Sequence, residues 1–178
     1  MRNFKQIMLF VMVGSLLSLT SCSSDDDGGG TGNAGSGTVT AKVDGASFQS
    51  MSISSSATIA NGGQNLIIIG SNSDGEAFAI TVLGYDGVGT YPIGGGANIF
   101  NSASYTETDV NLNDPVNSTT EIWTAPYNDT MVGEIRVSEV SETNIKGTFD
   151  FTCKNVGGDQ SIKTIADGSY NLDVQIVN

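Results

Sequence analysis

From Thr38 onward, short apolar runs alternate residue by residue with polar positions and are punctuated by Gly, Asn, Asp and Ser. A period of two is the signature of half-buried strands, whose successive side chains point to opposite faces. TVTAKV (38–43) puts Val39, Ala41 and Val43 on one face. Asp44-Gly45 then predicts a tight hairpin turn, because Gly tolerates the positive φ such a turn demands. ASFQSMSISSSATIA is expected to return as one or two strands broken at the serines, and Asn61-Gly62-Gly63 makes the next turn. In NLIIIGS, the unbroken run Leu66–Ile69 predicts a strand covered on both faces. AFAITVLG places Phe78, Ile80 and Val82 together, and Pro92 in YDGVGTYPIGGG marks an edge strand or a strand end, since proline has no N–H to donate.

ANIFNSASYTE and STTEIWTAP read as strands around the polar connection TDVNLNDPVN. GEIRVSEV turns Ile135 and Val137 inward. IKGTFDFTCK alternates Phe149, Phe151 and Cys153 with Thr148, Asp150 and Thr152. After a polar loop, DGSYNLDVQIV gives Tyr170, Leu172, Val174 and Ile176 on one face. No window carries a persuasive 3.6-residue apolar period, so no long helix is expected. The pattern predicts an all-β fold of roughly ten strands, an antiparallel β-sandwich or a flattened barrel over residues 38–178, in which strands must cover strands.

Residues 1–21 differ in kind. Arg2 and Lys5 precede the apolar stretch Ile7–Leu19, the layout of a secretory signal peptide. That stretch is well short of the about 20 residues a membrane-spanning helix needs. Leu19-Thr20-Ser21-Cys22 resembles the lipobox of bacterial lipoproteins, which implies that Cys22 becomes the first residue and carries acyl chains on its sulfur. Two or more chains give stable membrane attachment at about 0.8 kcal/mol per buried CH₂. Residues 22–37 hold the lipidated cysteine and a Gly-rich acidic segment with no large apolar side chain, a tether with an r.m.s. span of about 20 Å. Asp25, Asp26 and Asp27 resemble the surface-export signal of Bacteroidota lipoproteins, which implies a lipid-anchored protein of the outer membrane facing outward from the cell.

The formal charge is −12, and it becomes two units more negative once Arg2 and Lys5 leave with the leader. Such a chain repels phosphate backbones, which excludes nucleic acid as a partner. The chain has no histidine, which removes Ser-His-Asp and Cys-His catalysis and imidazole metal sites. With Cys22 acylated, Cys153 is the single free thiol, so no intrachain disulfide forms. Its alternation with Phe149 and Phe151 assigns it to the core. The oxygen-rich loops around Asn72, Asp74 and Glu76, and around Asn111, Asn113 and Asp114, lack calcium-loop spacing and read as turns. Neither a metal nor a cofactor is expected.

Trp123 and Tyr127 are candidate ligand-contact aromatics, against the alternative of sheet packing. Asp129-Thr130-Met131 resembles the Bacteroidota O-glycosylation acceptor, which makes Thr130 a candidate modification site. VTAKVDGASF, GTYPIGG, IKGTFDFT and DGSYNLDV together resemble an uncharacterised family of Bacteroidota lipoproteins that pair a lipobox with a single β domain of unknown function. The resemblance implies the membrane address and a compact β fold, and brings no catalytic residue. The functional expectation is a non-enzymatic binding or interaction module, held to the membrane through Cys22, with a glycan or a protein as ligand. The alternatives are a structural subunit of an envelope complex and, third, a glycan-active hydrolase.

Overall fold

The computed structural model describes residues 33–96 and 100–177. The leader, Cys22, Asp25, Asp26 and Asp27 lie outside the described residues. The described chain is nearly all β: β1 (Thr38–Val43), β2 (Ala46–Gln49), β3 (Ser55–Ala60), β4 (Asn65–Ser71), β5 (Glu76–Leu83), β6 (Gly89–Ile93), β7 (Ser102–Asp109), β8 (Thr119–Ala125), β9 (Gly133–Val140), β10 (Asn144–Lys154) and β11 (Ile162–Ile176). Single 3₁₀ turns at Ser52–Ser54 and Pro115–Asn117 are its helical pieces.

All eleven strands join one sheet in the order β2-β1-β11-β3-β4-β5-β7-β8-β10-β9-β6, and β11 also pairs with β10. The sheet therefore runs back on itself as a ring, but not as a barrel. Its corners are thin: β3 meets β11 only from Val174 to Ile176, and β8 meets β10 at the single pair Thr124–Lys154. Between the corners the ring is flattened into two layers, β2-β1-β11-β10-β9-β6 and β3-β4-β5-β7-β8. Phe78 of β5 reaches across to Phe48 of β2 at 4.8 Å and to Phe149 and Phe151 of β10 at 5.6 and 6.3 Å between ring centroids. Where β4 crosses β1 the layers touch so closely that a methyl group on Gly70 would sit 2.8 Å from Val39.

Three expectations are corrected here. The sheet is mixed rather than wholly antiparallel, because β11 runs parallel to β3 at its C-terminal corner. β4 is covered on one face only: Leu66 and Ile68 are buried, whereas Ile69 is 44% exposed. A run of four apolar residues thus does not require two covered faces. The last strand starts at Ile162 rather than at the Asp167-Gly168 pair, which is a bulge inside it. There Asp167 takes φ 51°, and the pairing skips from Phe149–Gly168 to Phe151–Ile165. At its far end Ile176 leaves the core and is 56% exposed. Other turns form as expected, with positive φ at Asp44-Gly45 and Asn61-Gly62-Gly63. β6, which carries Pro92, lies at one end of the strand order.

β10 and β11 are the longest strands, and a reciprocal exchange joins them. Gly147 lies opposite Tyr170, and Phe149 lies opposite Gly168. Each aromatic ring occupies the space above the facing glycine, so that a Cβ on either glycine would overlap the ring. The Tyr170 hydroxyl then donates to the Arg136 carbonyl of β9 at 3.0 Å, which fastens a third strand. Replacing Gly147 or Gly168 with alanine is expected to destabilise the fold by about 2–3 kcal/mol through overpacking against backbone and ring. Gly157→Ala, at a site with open space, is expected to stay within about 0.5 kcal/mol. Urea unfolding of the three variants checks this, and a Gly147→Ala variant as stable as wild type would contradict it.

Candidate functional site

The two outer faces of the molecule differ in charge. In the layer β3-β4-β5-β7-β8, alternation turns Ala57, Ile68, Phe78, Ile80, Tyr105 and Trp123 inward. The outward residues are what remain: register rows Ser56–Ile69–Ala79–Ser104–Thr124, Thr58–Ile67–Thr81–Ser102 and Ser71–Ala77–Thr106–Ile122, flanked by the pairs Asn65–Leu83 and Thr108–Thr120. None of these residues is Asp, Glu, Lys or Arg, and none is aromatic. Ile69, Leu83 and Ile122 are 44%, 42% and 48% exposed. Lys154 stands at the β8 rim and Gln175 at the β3 rim.

The opposite layer carries the ionic surface. Lys42 pairs with Asp167 at 2.7 Å, Lys146 with Glu139 at 2.7 Å, and Arg136 with Glu134. Exposed pairs of this kind contribute about 0–1 kcal/mol each, so their main consequence is where the charge sits. A shallow depression of about 400 Å³ lies over the bulge between Arg136, Asp150 and Asp167. Of its charged groups, Arg136 and Asp167 are already engaged in those pairs.

Between the layers, at the end formed by the β4–β5, β7–β8 and β10–β11 connections, lies a polar cluster. The buried Tyr105 hydroxyl shares its proton between Glu76 Oε1 at 2.6 Å and Glu107 Oε1 at 3.0 Å. Lys163 Nζ donates to the same Glu107 oxygen at 2.7 Å and lies 4.4 Å from the centre of the Trp123 ring. Asn72 Nδ2 donates to Glu76 Oε2 at 2.6 Å. Burial, and then the two carboxylates, raise the Tyr105 pKa far above the usual phenol range. Two carboxylates near one hydroxyl could suggest acid–base chemistry, but their partners are a buried phenol, an ammonium group and an amide. The arrangement holds the open end of the sandwich together by neutralising acids that the strand pattern turns inward.

The sequence-singled residues fall in separate places. Trp123 is 3% exposed, and its indole N–H donates to Ser161 Oγ at 2.8 Å. Its ring packs against Tyr105 and Lys163 instead of offering a face to a ligand. Tyr127 is half-buried, with its hydroxyl 3.2 Å from that of Thr152. Thr130 is exposed in the β8–β9 loop, where its backbone N–H and its hydroxyl both donate to Asn128 Oδ1. Cys153 is buried beneath β11, and desolvation pushes its thiol up to about 12. The two oxygen-rich loops fold as turns on Asn72 and Asn111, whose side-chain oxygens accept backbone N–H groups two to four residues on. Among the described residues, no group of three or more metal-ligating side chains comes together.

The uncharged face was not singled out from the sequence. Its signal is nevertheless there: in SSATIA, NLIIIGS, AFAITVL, SASYTE and TTEIWTA, every outward position lacks charge. The family model described as Domain of unknown function (DUF6252) matches residues 35–171. No curated protein and no solved structure matches the chain.

Burial raises the pKa of Tyr85 and Tyr170 as well as those of Tyr105 and Cys153. The folded state therefore keeps protons that the unfolded chain releases at about its ordinary values, 9.0 for the thiol and 10.0 for the phenols. Stability from these groups is complete below pH 9 and falls as pH rises above it, by up to about 1.4 kcal/mol per pH unit for each group. Urea midpoints between pH 7 and 11 are expected to be level at first and then to drop. Cys153→Ala should remove the part of the fall that begins near pH 9. A midpoint that holds level to pH 11 would contradict the burial of these hydroxyls.

Proposed function

The chain belongs to the DUF6252 family, and we propose that it is a lipid-anchored lipoprotein of the outer membrane, displayed outward, that works as a non-enzymatic interaction module through the uncharged face of β3-β4-β5-β7-β8. The carrying observation is the partition of charge. In a chain of formal charge −12, a face of five strands with no ionic side chain is the surface that a partner can cover at the lowest desolvation cost. Apolar Ile69, Leu83 and Ile122 among Ser, Thr and Ala supply area to bury, and backbone pleating supplies a flat shape. The lipobox ending in Cys22, with the acidic tether behind it, supports the anchor and gives the domain reach.

The face favours a protein over a glycan as ligand, because it presents no aromatic ring for a sugar to stack on. It also favours docking by a face over docking by an edge. The ends of the strand order are β2, with four residues, and β6, with five including Pro92. Short edges and proline blunt strand addition at these two ends, so an envelope subunit joined there by β-addition fits less well. Against hydrolysis stands the engagement of Glu76 and Glu107 by Tyr105, Lys163 and Asn72.

Cysteine labelling of the full chain on intact cells tests this reading. Ala79→Cys marks the uncharged face and Ser138→Cys the ionic layer, and a membrane-impermeant maleimide reports both. The expected result is labelling of Ser138→Cys without lysis, with Ala79→Cys slowed several-fold on cells and released after dilution in detergent. Labelling of neither until lysis would overturn outward display. Equal relative rates before and after dispersal would overturn the contact surface.

A further inference from the structure

We propose that the partner of this face is a second copy of the same chain, docked layer to layer through β3-β4-β5-β7-β8. The inference rests on the reading of that face as a contact surface and names what covers it.

The first argument is electrostatic. Two copies of a strongly acidic chain repel each other, and the repulsion depends on which surfaces approach. Contact through the other layer would bring Glu134, Asp150 and Asp167 of one copy against those of the next. Contact through the uncharged face leaves those groups behind two sheets. Packed sheets lie about 10 Å apart, so the ionic layers of two such copies are separated by well over the roughly 8 Å at which physiological salt screens charge. A partner must also be flat, pleated and uncharged where it touches, and the chain itself presents such a surface.

The second argument is area. Five strands about 4.8 Å apart, each with about seven residues rising about 3.3 Å, make a face of about 550 Å². Two copies would bury about 1,100 Å², slightly above the about 1,000 Å² at which specific association becomes reasonable. Ala77, Ala79 and Ser104 keep the centre low, with Ile69 and Ile122 on either side, which suits the aligned packing of sheet on sheet. An interface of this size without charge pairs gives a weak dimer, with a Kd on the order of 10 μM to 1 mM. Confinement of both copies to one membrane by their anchors would raise their effective concentration.

Sedimentation equilibrium of the full chain in detergent, over a range of concentration and salt, tests the proposal. The expected result is a reversible monomer–dimer equilibrium that tightens two- to five-fold as salt rises, because salt screens repulsion and there are no attractive pairs to lose. Ala79→Glu should weaken the dimer at least tenfold. Thr148→Glu, which adds the same charge to the ionic layer, should change it less than twofold. A monomer up to about 1 mM would overturn self-association, and a dimer that loosens with salt or is indifferent to Ala79→Glu would overturn docking through this face. Circular dichroism of Ala79→Glu distinguishes lost docking from lost folding, and oxidative crosslinking of Ala79→Cys in membranes is the independent readout, with absence of a crosslinked dimer counting against the proposal. A monomer whose Ala79→Cys is still shielded on cells would refute the second copy and leave the contact surface standing. A monomer with that position freely labelled would refute both.

Discussion

The structure depends on the pairing of β10 with β11, and that pairing depends on two glycines that make room for two rings. Gly147 receives Tyr170, and Gly168 receives Phe149. Because the strands are long, each serves both layers. β10 holds β9 along one edge and touches β8 at Lys154, while β11 holds β1 and then turns to β3 at Val174. The bulge at Asp167 increases the local bend, and the ring is flattened around Phe78, which meets aromatic residues from β2, β7 and β10. Remove the glycine–aromatic exchange, and the two layers lose the ribbon that joins them.

The partition of charge follows from that geometry. One layer is built from β1, β9, β10 and β11, whose outward positions include Lys42, Glu134, Arg136, Lys146, Asp150 and Asp167. The other is built from strands whose outward positions are Ser, Thr, Ala, Asn, Leu and Ile. Acids that alternation places on the inward side, Glu76 and Glu107, lie at strand ends, where Tyr105, Lys163 and Asn72 can reach them. Burying a carboxylate is tolerable only with such partners. The same residues thus close one end of the core, while the outward rows of the second layer carry no Asp, Glu, Lys or Arg.

Much of this was legible in the sequence, because the signals are local. Period-two alternation located the strands and named Phe78, Ile80, Val82, Ile135, Phe149, Phe151 and Tyr170 as core, and glycine placed the tight turns. What was not legible depends on partners far away in the chain. Leu66–Ile69 looks covered on both faces until the far side of β4 is seen to meet no other layer among the described residues. Asp167-Gly168 looks like the start of the last strand until β10 and β1 are seen to pair with residues before it on either side. Trp123 is a candidate ligand contact or a sheet-packing residue in the sequence, with packing the commoner role of a single tryptophan, and Ser161, 38 positions away, together with Lys163, holds it in the core. The uncharged face requires strand order, since five separate runs without outward charge mean little until they lie side by side.

Native-state hydrogen exchange of the full chain would test the organising role of the β10–β11 ribbon most directly. The account predicts that the paired amides of Phe149, Phe151, Tyr170 and Leu172 exchange only through global unfolding, with β4 and β5 lost in the same cooperative step and β2 and β6 opening earlier. If β4 and β5 stayed protected after β10 and β11 had opened, the layers would be independent sheets, and the ribbon would not be what joins them.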